Sequence, residues 1–117
     1  MKLYAFDVDE TLEVSGGPIP IAALRDLAAL GHIVGLCGNW ACLTHQIPDW
    51  ASFISFIGPM EMTKAAFLRQ LKSFIRADEH VMVGNIFGVS GASDDKGAAA
   101  RAEVRFIQES AFAAGER

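Results

Sequence analysis

The sequence predicts an α/β domain built on a buried parallel sheet, and three observations carry that prediction. Short apolar runs recur, each closing on Asp, Asn or Gly. Longer stretches with apolar residues three and four apart lie between them. The chain also has room for only one such unit, since its 117 residues fall within the roughly 100–200 residues of a single domain. Of these, 51% are hydrophobic and 21% charged, a balance that excludes a disordered body and supports one core. Strands that are apolar on both faces belong in a parallel sheet covered on two sides by helices.

Residues 2–8 (KLYAFDV) are the first predicted strand, an apolar and aromatic run. Residues 10–20 carry Gly16, Gly17, Pro18 and Pro20 and read as a turn-rich connection. Ile21, Leu24, Leu27 and Ala28 then follow a helical period up to Gly31. Residues 32–37 (HIVGLC) are the second strand, and a short helix over 40–46 must end before Pro48. Residues 50–57 (WASFISFI) are the third predicted strand. Thr63 caps a helix in which Phe67, Leu68, Leu71, Phe74 and Ile75 share one face. Residues 80–83 (HVMV) form the fourth strand. A loop rich in Gly and Ser then leads to Ser93, Asp94 and Asp95 at the mouth of an Ala-rich helix. Residues 104–107 are the fifth strand, and the tail from Ser110 reads equally as a short helix or a frayed end.

Ten Lys and Arg stand against fourteen Asp and Glu, for a net charge of −4 and a pI near 5.2. The basic residues are scattered along the chain, so general nucleic-acid binding is not expected. Residues 1–9 contain no long apolar run, which argues against a secretory leader. No stretch approaches the eighteen or so apolar residues of a membrane span, so no membrane partner is expected. The expected setting is cytoplasmic and reducing, with Cys37 and Cys42 as thiols. A chain of this size buries enough surface to dispense with disulfides. The high apolar content leaves homo-oligomerisation open, because a small parallel-sheet core explains it equally well.

In an open parallel sheet the binding crevice lies beyond the carboxyl ends of the strands. Asp7 and Asp9, Cys37-Gly38-Asn39, Gly84-Asn85 and Asp94-Asp95 all fall there. If the first strand stays extended, residues 7 and 9 project to one side, and two adjacent carboxylates need a cation or a shared proton. Hard oxygen ligands of this kind, joined by Asp94 or Asp95, suit Mg²⁺. One carboxylate could then attack phosphorus while the other handles the leaving-group proton. The plainer alternative is a solvated turn at Asp9, Glu10 and Thr11. Cys37, Cys42 and His45 resemble three zinc ligands, but no fourth is apparent.

Phe6-Asp7-Val8-Asp9-Glu10-Thr11-Leu12 resembles the first motif of the haloacid dehalogenase-like phosphohydrolase superfamily, an apolar strand ending in Asp-x-Asp-x-Thr. The later segments fall in that family's order from Leu3 to about Ile107. The resemblance implies a Rossmann-like three-layer sandwich with sheet order 5-4-1-2-3. It implies Asp7 as the nucleophile that forms an aspartyl-phosphate, Asp9 as general acid and base, and Mg²⁺ on the Asp7 carboxylate and the Asp9 backbone carbonyl. Lys64, directly after the cap Thr63, matches the family's phosphate-neutralising lysine, with Lys72 as a second candidate. Two positions depart from the pattern. Cys37 stands where Thr or Ser binds the phosphoryl group, leaving Cys37, Gly38 and Asn39 as the phosphate-binding segment. Asn85 stands where the fourth motif has Asp, leaving Asn85 with Asp94 or Asp95 as the further metal ligands.

Large cap domains have no room in this chain, so the resemblance implies an uncapped form. An open site suits a phosphorylated substrate that can be macromolecular. The expected activity is Mg²⁺-dependent phosphomonoester hydrolysis. The alternatives are a degenerate relative that binds Mg²⁺ or a phosphorylated ligand without turnover, and a receiver-like phosphoacceptor domain.

Overall fold

β1 (Lys2–Phe6) sits at the centre of the sheet because it has no polar face to offer: from Leu3 onward every residue is buried. In the computed structural model, which describes all 117 residues, β1 pairs in parallel with β2 (Ile33–Cys37) on one side and β4 (Glu79–Gly84) on the other. β3 (Phe56–Gly58) and β5 (Arg105–Gln108) form the edges, also parallel. The order β3-β2-β1-β4-β5 is the predicted one read from the opposite edge. The fold is thus the three-layer, Rossmann-like α/β sandwich that the alternating pattern predicts.

Two helical layers cover the sheet, and residue parity along β1 assigns its side chains to one or the other. Tyr4, Phe6 and Val8 enter a core shared with α1 (Ile21–Ala29), α2 (Trp40–Gln46) and α5 (Glu109–Ala113). Leu3 and Ala5 enter a second core shared with α3 (Lys64–Phe74) and α4 (Asp95–Ala102). Local caps fix where the helices begin. Glu13, in a 3₁₀ turn over Glu13–Ser15, accepts the Ile21 N–H at 2.9 Å and starts α1. Thr63 Oγ1 accepts from Ala66 N at 3.1 Å and starts α3. Asp94 Oδ1 accepts from Gly97 N at 3.1 Å and starts α4.

Two segments differ from their sequence reading, and a third, left open by the sequence, is decided by the structure. Residues 50–57 are not one strand: Trp50–Ser52 is a 3₁₀ turn and only Phe56–Gly58 joins the sheet. The spacing explains it, since Trp50, Phe53 and Ile54 are three and four apart and all pack into the α1 side of the core. The first strand stops at Phe6, and residues 7–11 turn. Residues 110–113 of the tail belong to α5, held by Phe112, which is buried against Phe6 at a ring distance of 5.2 Å. No helix is long and apolar enough to cross a membrane.

Candidate active site

Asp7 is the first residue beyond β1, and its N–H still donates to Val83 O at 2.9 Å, so the sheet holds it rigidly. It continues the parity of Leu3 and Ala5 and therefore faces α3 and α4. There Lys64 Nζ lies 2.9 Å from Asp7 Oδ1 and 2.7 Å from Asp95 Oδ1. Asp95 is fully buried at the first position of α4, where the helix macrodipole favours its charge. Lys64 is the first residue of α3, where the same dipole opposes a cation, so the two carboxylates rather than helix stability account for its place. Asp95 Oδ2 accepts the Asn85 N–H at 2.8 Å. Two glycines allow this packing. A Cβ at Gly38 would overlap Asp7 Oδ1, and one at Gly84 would overlap the Asp95 carboxylate.

One lysine thus serves two buried carboxylates, and Asp7 Oδ2 is a buried oxygen with no hydrogen-bond partner. Burial pushes the Asp7 carboxyl up to about 7; Lys64 works against the rise and Asp95 adds to it. Burial also works against the Lys64 ammonium, but Asp7 and Asp95 outweigh it and hold its pKa above the usual range. The carboxylates are buried at the carboxyl edge of the sheet, and neither lines one of the two cavities of the protein.

The remaining candidates divide. Asp9 is exposed, and strand parity does not place it, because β1 ends at Phe6 and the chain turns after Val8. Its carboxylate accepts from Ser15 Oγ at 2.5 Å and from Asn39 Nδ2 at 3.2 and 3.3 Å. Asn39 therefore spends its side chain on Asp9. The Gly38 N–H, expected to meet phosphate, instead donates to Gly58 O at 2.9 Å and extends the β2–β3 ladder. Cys37 is buried in the α3 and α4 layer, and burial pushes its thiol up to about 12, leaving an uncharged, weak donor. Asp94 is the exposed cap of α4, 3.7 Å from Arg101, and Asp95 is the member of the pair that enters the site. Lys72 lies outside it, donating to Glu103 O at 2.8 Å. Cys37, Cys42 and His45 do not form a zinc site: no three His, Cys, Asp or Glu side chains converge on one point.

Asn85 is placed differently from its reading as a ligand. It follows the parity of Val81 and Val83 and belongs to the α5 side of the sheet. Its Nδ2 faces Glu10 O at 3.1 Å, Ser90 O at 3.3 Å and Glu109 Oε2 at 3.1 Å, all acceptors, which fixes the amide orientation. Its Oδ1 accepts from Thr11 Oγ1 at 3.3 Å. Asn85 is therefore a clamp between the residue 7–11 turn, the following loop and α5. The sequence reading missed Ser15, which holds Asp9, and Glu109, which holds Asn85 and Ser90. Nothing in the sequence marks Ser15. Glu109 carries a faint signal as an acid two residues beyond the fifth predicted strand.

Compared with protein-family models, curated proteins and solved structures, the chain matches none. The site must be read from its own geometry.

Proposed function

We propose that this protein is a Mg²⁺-dependent phosphomonoester hydrolase that works through an aspartyl-phosphate on Asp7, with an uncapped haloacid dehalogenase-like core. The observation that carries the proposal is the Asp7–Lys64–Asp95 triad, in which a carboxylate held by the sheet keeps one buried oxygen unpartnered at the carboxyl edge of a parallel sheet. The free thiols of Cys37 and Cys42 accord with a reducing, cytoplasmic setting.

The donor set fits a divalent cation. Two buried carboxylates share one lysine, so an uncompensated negative charge and the orphaned Asp7 Oδ2 remain. Asp7 and Asp95 would hold the ion, with the Asp9 backbone carbonyl as the resemblance implies and water in the other positions, as Mg²⁺ prefers. When bound, Mg²⁺ would neutralise phosphoryl charge and keep Asp7 ionised at neutral pH.

In the proposed reaction Asp7 forms a bond to phosphorus as the ester P–O bond breaks, and Asp9 gives its proton to the leaving oxygen. Asp9, now ionised, takes a proton from water. That water attacks phosphorus, the P–O bond to Asp7 breaks, and inorganic phosphate leaves with Asp7 restored. Ser15 and Asn39 hold Asp9 ready for both transfers. Lys64 stabilises the phosphoryl charge and tethers Asp7.

Hydrolysis of p-nitrophenyl phosphate, with and without Mg²⁺, tests this reading. Wild type turns over only with Mg²⁺, and Asp7→Asn loses turnover while remaining folded. Turnover retained in Asp7→Asn overturns the assignment. A second reading, binding without turnover, is favoured by one observation: Cys37 is a buried protonated thiol where a hydroxyl would hold phosphate. Under that reading Cys37→Thr gains activity that wild type lacks.

A further inference from the structure

We propose that the exposed face of α3, beside the carboxyl end of α4, is a binding groove for single-stranded nucleic acid. The proposal is independent of the phosphatase reading. Two adjacent cavities, of about 540 and 430 Å³, share Lys72 and Ser73 and so run on from one another. The first is flanked by Arg69 and Arg101, the second by Phe74, Arg76 and His80.

Basic residues scattered along the chain are gathered here by folding. Arg69 and Lys72 stand three residues apart on the exposed side of α3, and Arg76 follows just past the helix end at Phe74, lining the second cavity with Lys72. From residue 64 to 76 there is no Asp or Glu at all, in a chain whose net charge is −4. Acidic groups near these residues are mostly occupied. Asp78 is paired with the chain's own N-terminal amine at 2.6 Å, and Glu79 with Arg105 at 3.1 Å. Glu103 lines the first cavity, and its backbone carbonyl accepts from Lys72. Arg69 places one guanidinium nitrogen 3.0 Å from Arg101 O and keeps its other donors free. Arg76 has no intramolecular hydrogen bond or ion pair and is exposed.

A cationic surface alone would suit any polyanion. Phe74 narrows the class. Its spacing assigns it to the apolar face of α3, yet as the last residue of the helix it is 81% exposed, the most exposed large hydrophobic residue of the protein, and it lines the groove with Lys72 and Arg76. A solvent-facing aromatic ring set among cations is what stacking of unpaired bases requires, because every base has a π-face while its phosphates seek the cations. Duplex bases are already stacked and have no face to give.

Fluorescence anisotropy of a fluorescein-labelled 12-mer oligothymidylate at low salt tests the proposal. The full chain should bind it saturably, with log K falling against log salt with a slope of about −2 to −3, for three or four neutralised phosphates. Phe74→Ala should weaken binding about tenfold with the slope unchanged. Arg76→Glu, which breaks no intramolecular bond, should weaken it similarly and flatten the slope by about one. Arg25→Glu, on the far side of the sheet, should bind as wild type. Three results would overturn the proposal: no binding at low salt, equal loss in Arg25→Glu, or Phe74→Ala binding like wild type. The last would leave a generic polyanion surface.

Discussion

The two faces of the sheet are built for different ends. On the α1, α2 and α5 face, seventeen buried side chains pack around Tyr4, Phe6 and Phe112, with rings 5.2 to 6.2 Å apart. On the α3 and α4 face there are ten, and Ala5, Ala65, Ala98, Ala99 and Ala102 make up half of them. Both faces also carry buried polar groups at the carboxyl edge. On the aromatic face Asn85 is satisfied by Thr11, Ser90 and Glu109. On the alanine face Asp7, Lys64 and Asp95 leave one oxygen and one charge unmet. The thick face holds the fold, and the thin face lets two helices come close enough to aim charges at one strand end.

Core truncation on one face and charge removal on the other should both be severe, yet distinguishable by pH. Phe6→Ala should cost about 3–5 kcal/mol in urea denaturation, at pH 5 and pH 8 alike. Lys64→Met should cost about as much at pH 8, because it strands two buried carboxylates. Its cost should shrink at pH 5, where Asp7 can take up a proton. Equal pH behaviour in the two variants would break the contrast.

Asn85→Asp tests the assignment of Asn85 to the aromatic face. The new carboxylate would face Glu109 Oε2, now 3.1 Å from the amide nitrogen, and two carbonyls it could no longer donate to. A loss of about 3 kcal/mol at pH 7.5, smaller at pH 5, is expected in urea denaturation. Stabilisation of this variant by Mg²⁺ would instead place residue 85 on the metal side.

Asp7→Asn measures the unmet charge itself, in EDTA. The Asp7 pKa is raised from an ordinary 3.8 to about 7, so only well below pH 3.8 is the carboxyl protonated whether the chain is folded or not. As pH rises from 4 to 7 the unfolded chain releases this proton and the folded chain keeps it. Stability therefore falls with rising pH, and the penalty is complete above pH 7. The stability of Asp7→Asn minus that of wild type should grow over that window by up to about 4 kcal/mol and then level off. A flat difference would mean that Lys64 alone keeps Asp7 ionised.

Most strand and helix positions were legible because apolar runs and three-and-four spacings report burial directly, whereas the strand order came only from the resemblance. The segment over residues 50–57 was misread because Trp50, Phe53 and Ile54 carry helical spacing inside a run short enough to be a strand. At the site, Asp7, Lys64 and Asp95 could be placed at strand and helix ends from local signals alone. The role of Asn85 could not, since parity in β4 decides its face and one residue of uncertainty in the strand's end inverts it. The partners of the Gly38 N–H and the Asn39 side chain, Gly58 and Asp9, were not legible for a related reason: tertiary pairing that no local pattern encodes fixes them.

The smallest effect separates the faces by their thiols. Cys37 is buried under α3 and α4, with its thiol pushed up to about 12, whereas Cys42 is half-buried at the edge of α2. A thiolate is the reactive form, so a maleimide should label Cys42 in the native protein and Cys37 only after opening. Mass spectrometry should therefore show one adduct in wild type and none, over the same time, in Cys42→Ser. Adding Lys64→Met to Cys42→Ser should accelerate labelling of Cys37, because loosening the charged edge opens the thin face first. Adding Phe6→Ala in its place opens the sheet from the other side. Faster Cys37 labelling from Phe6→Ala than from Lys64→Met would mean that the two layers open as one unit and that the thin face has no local stability of its own.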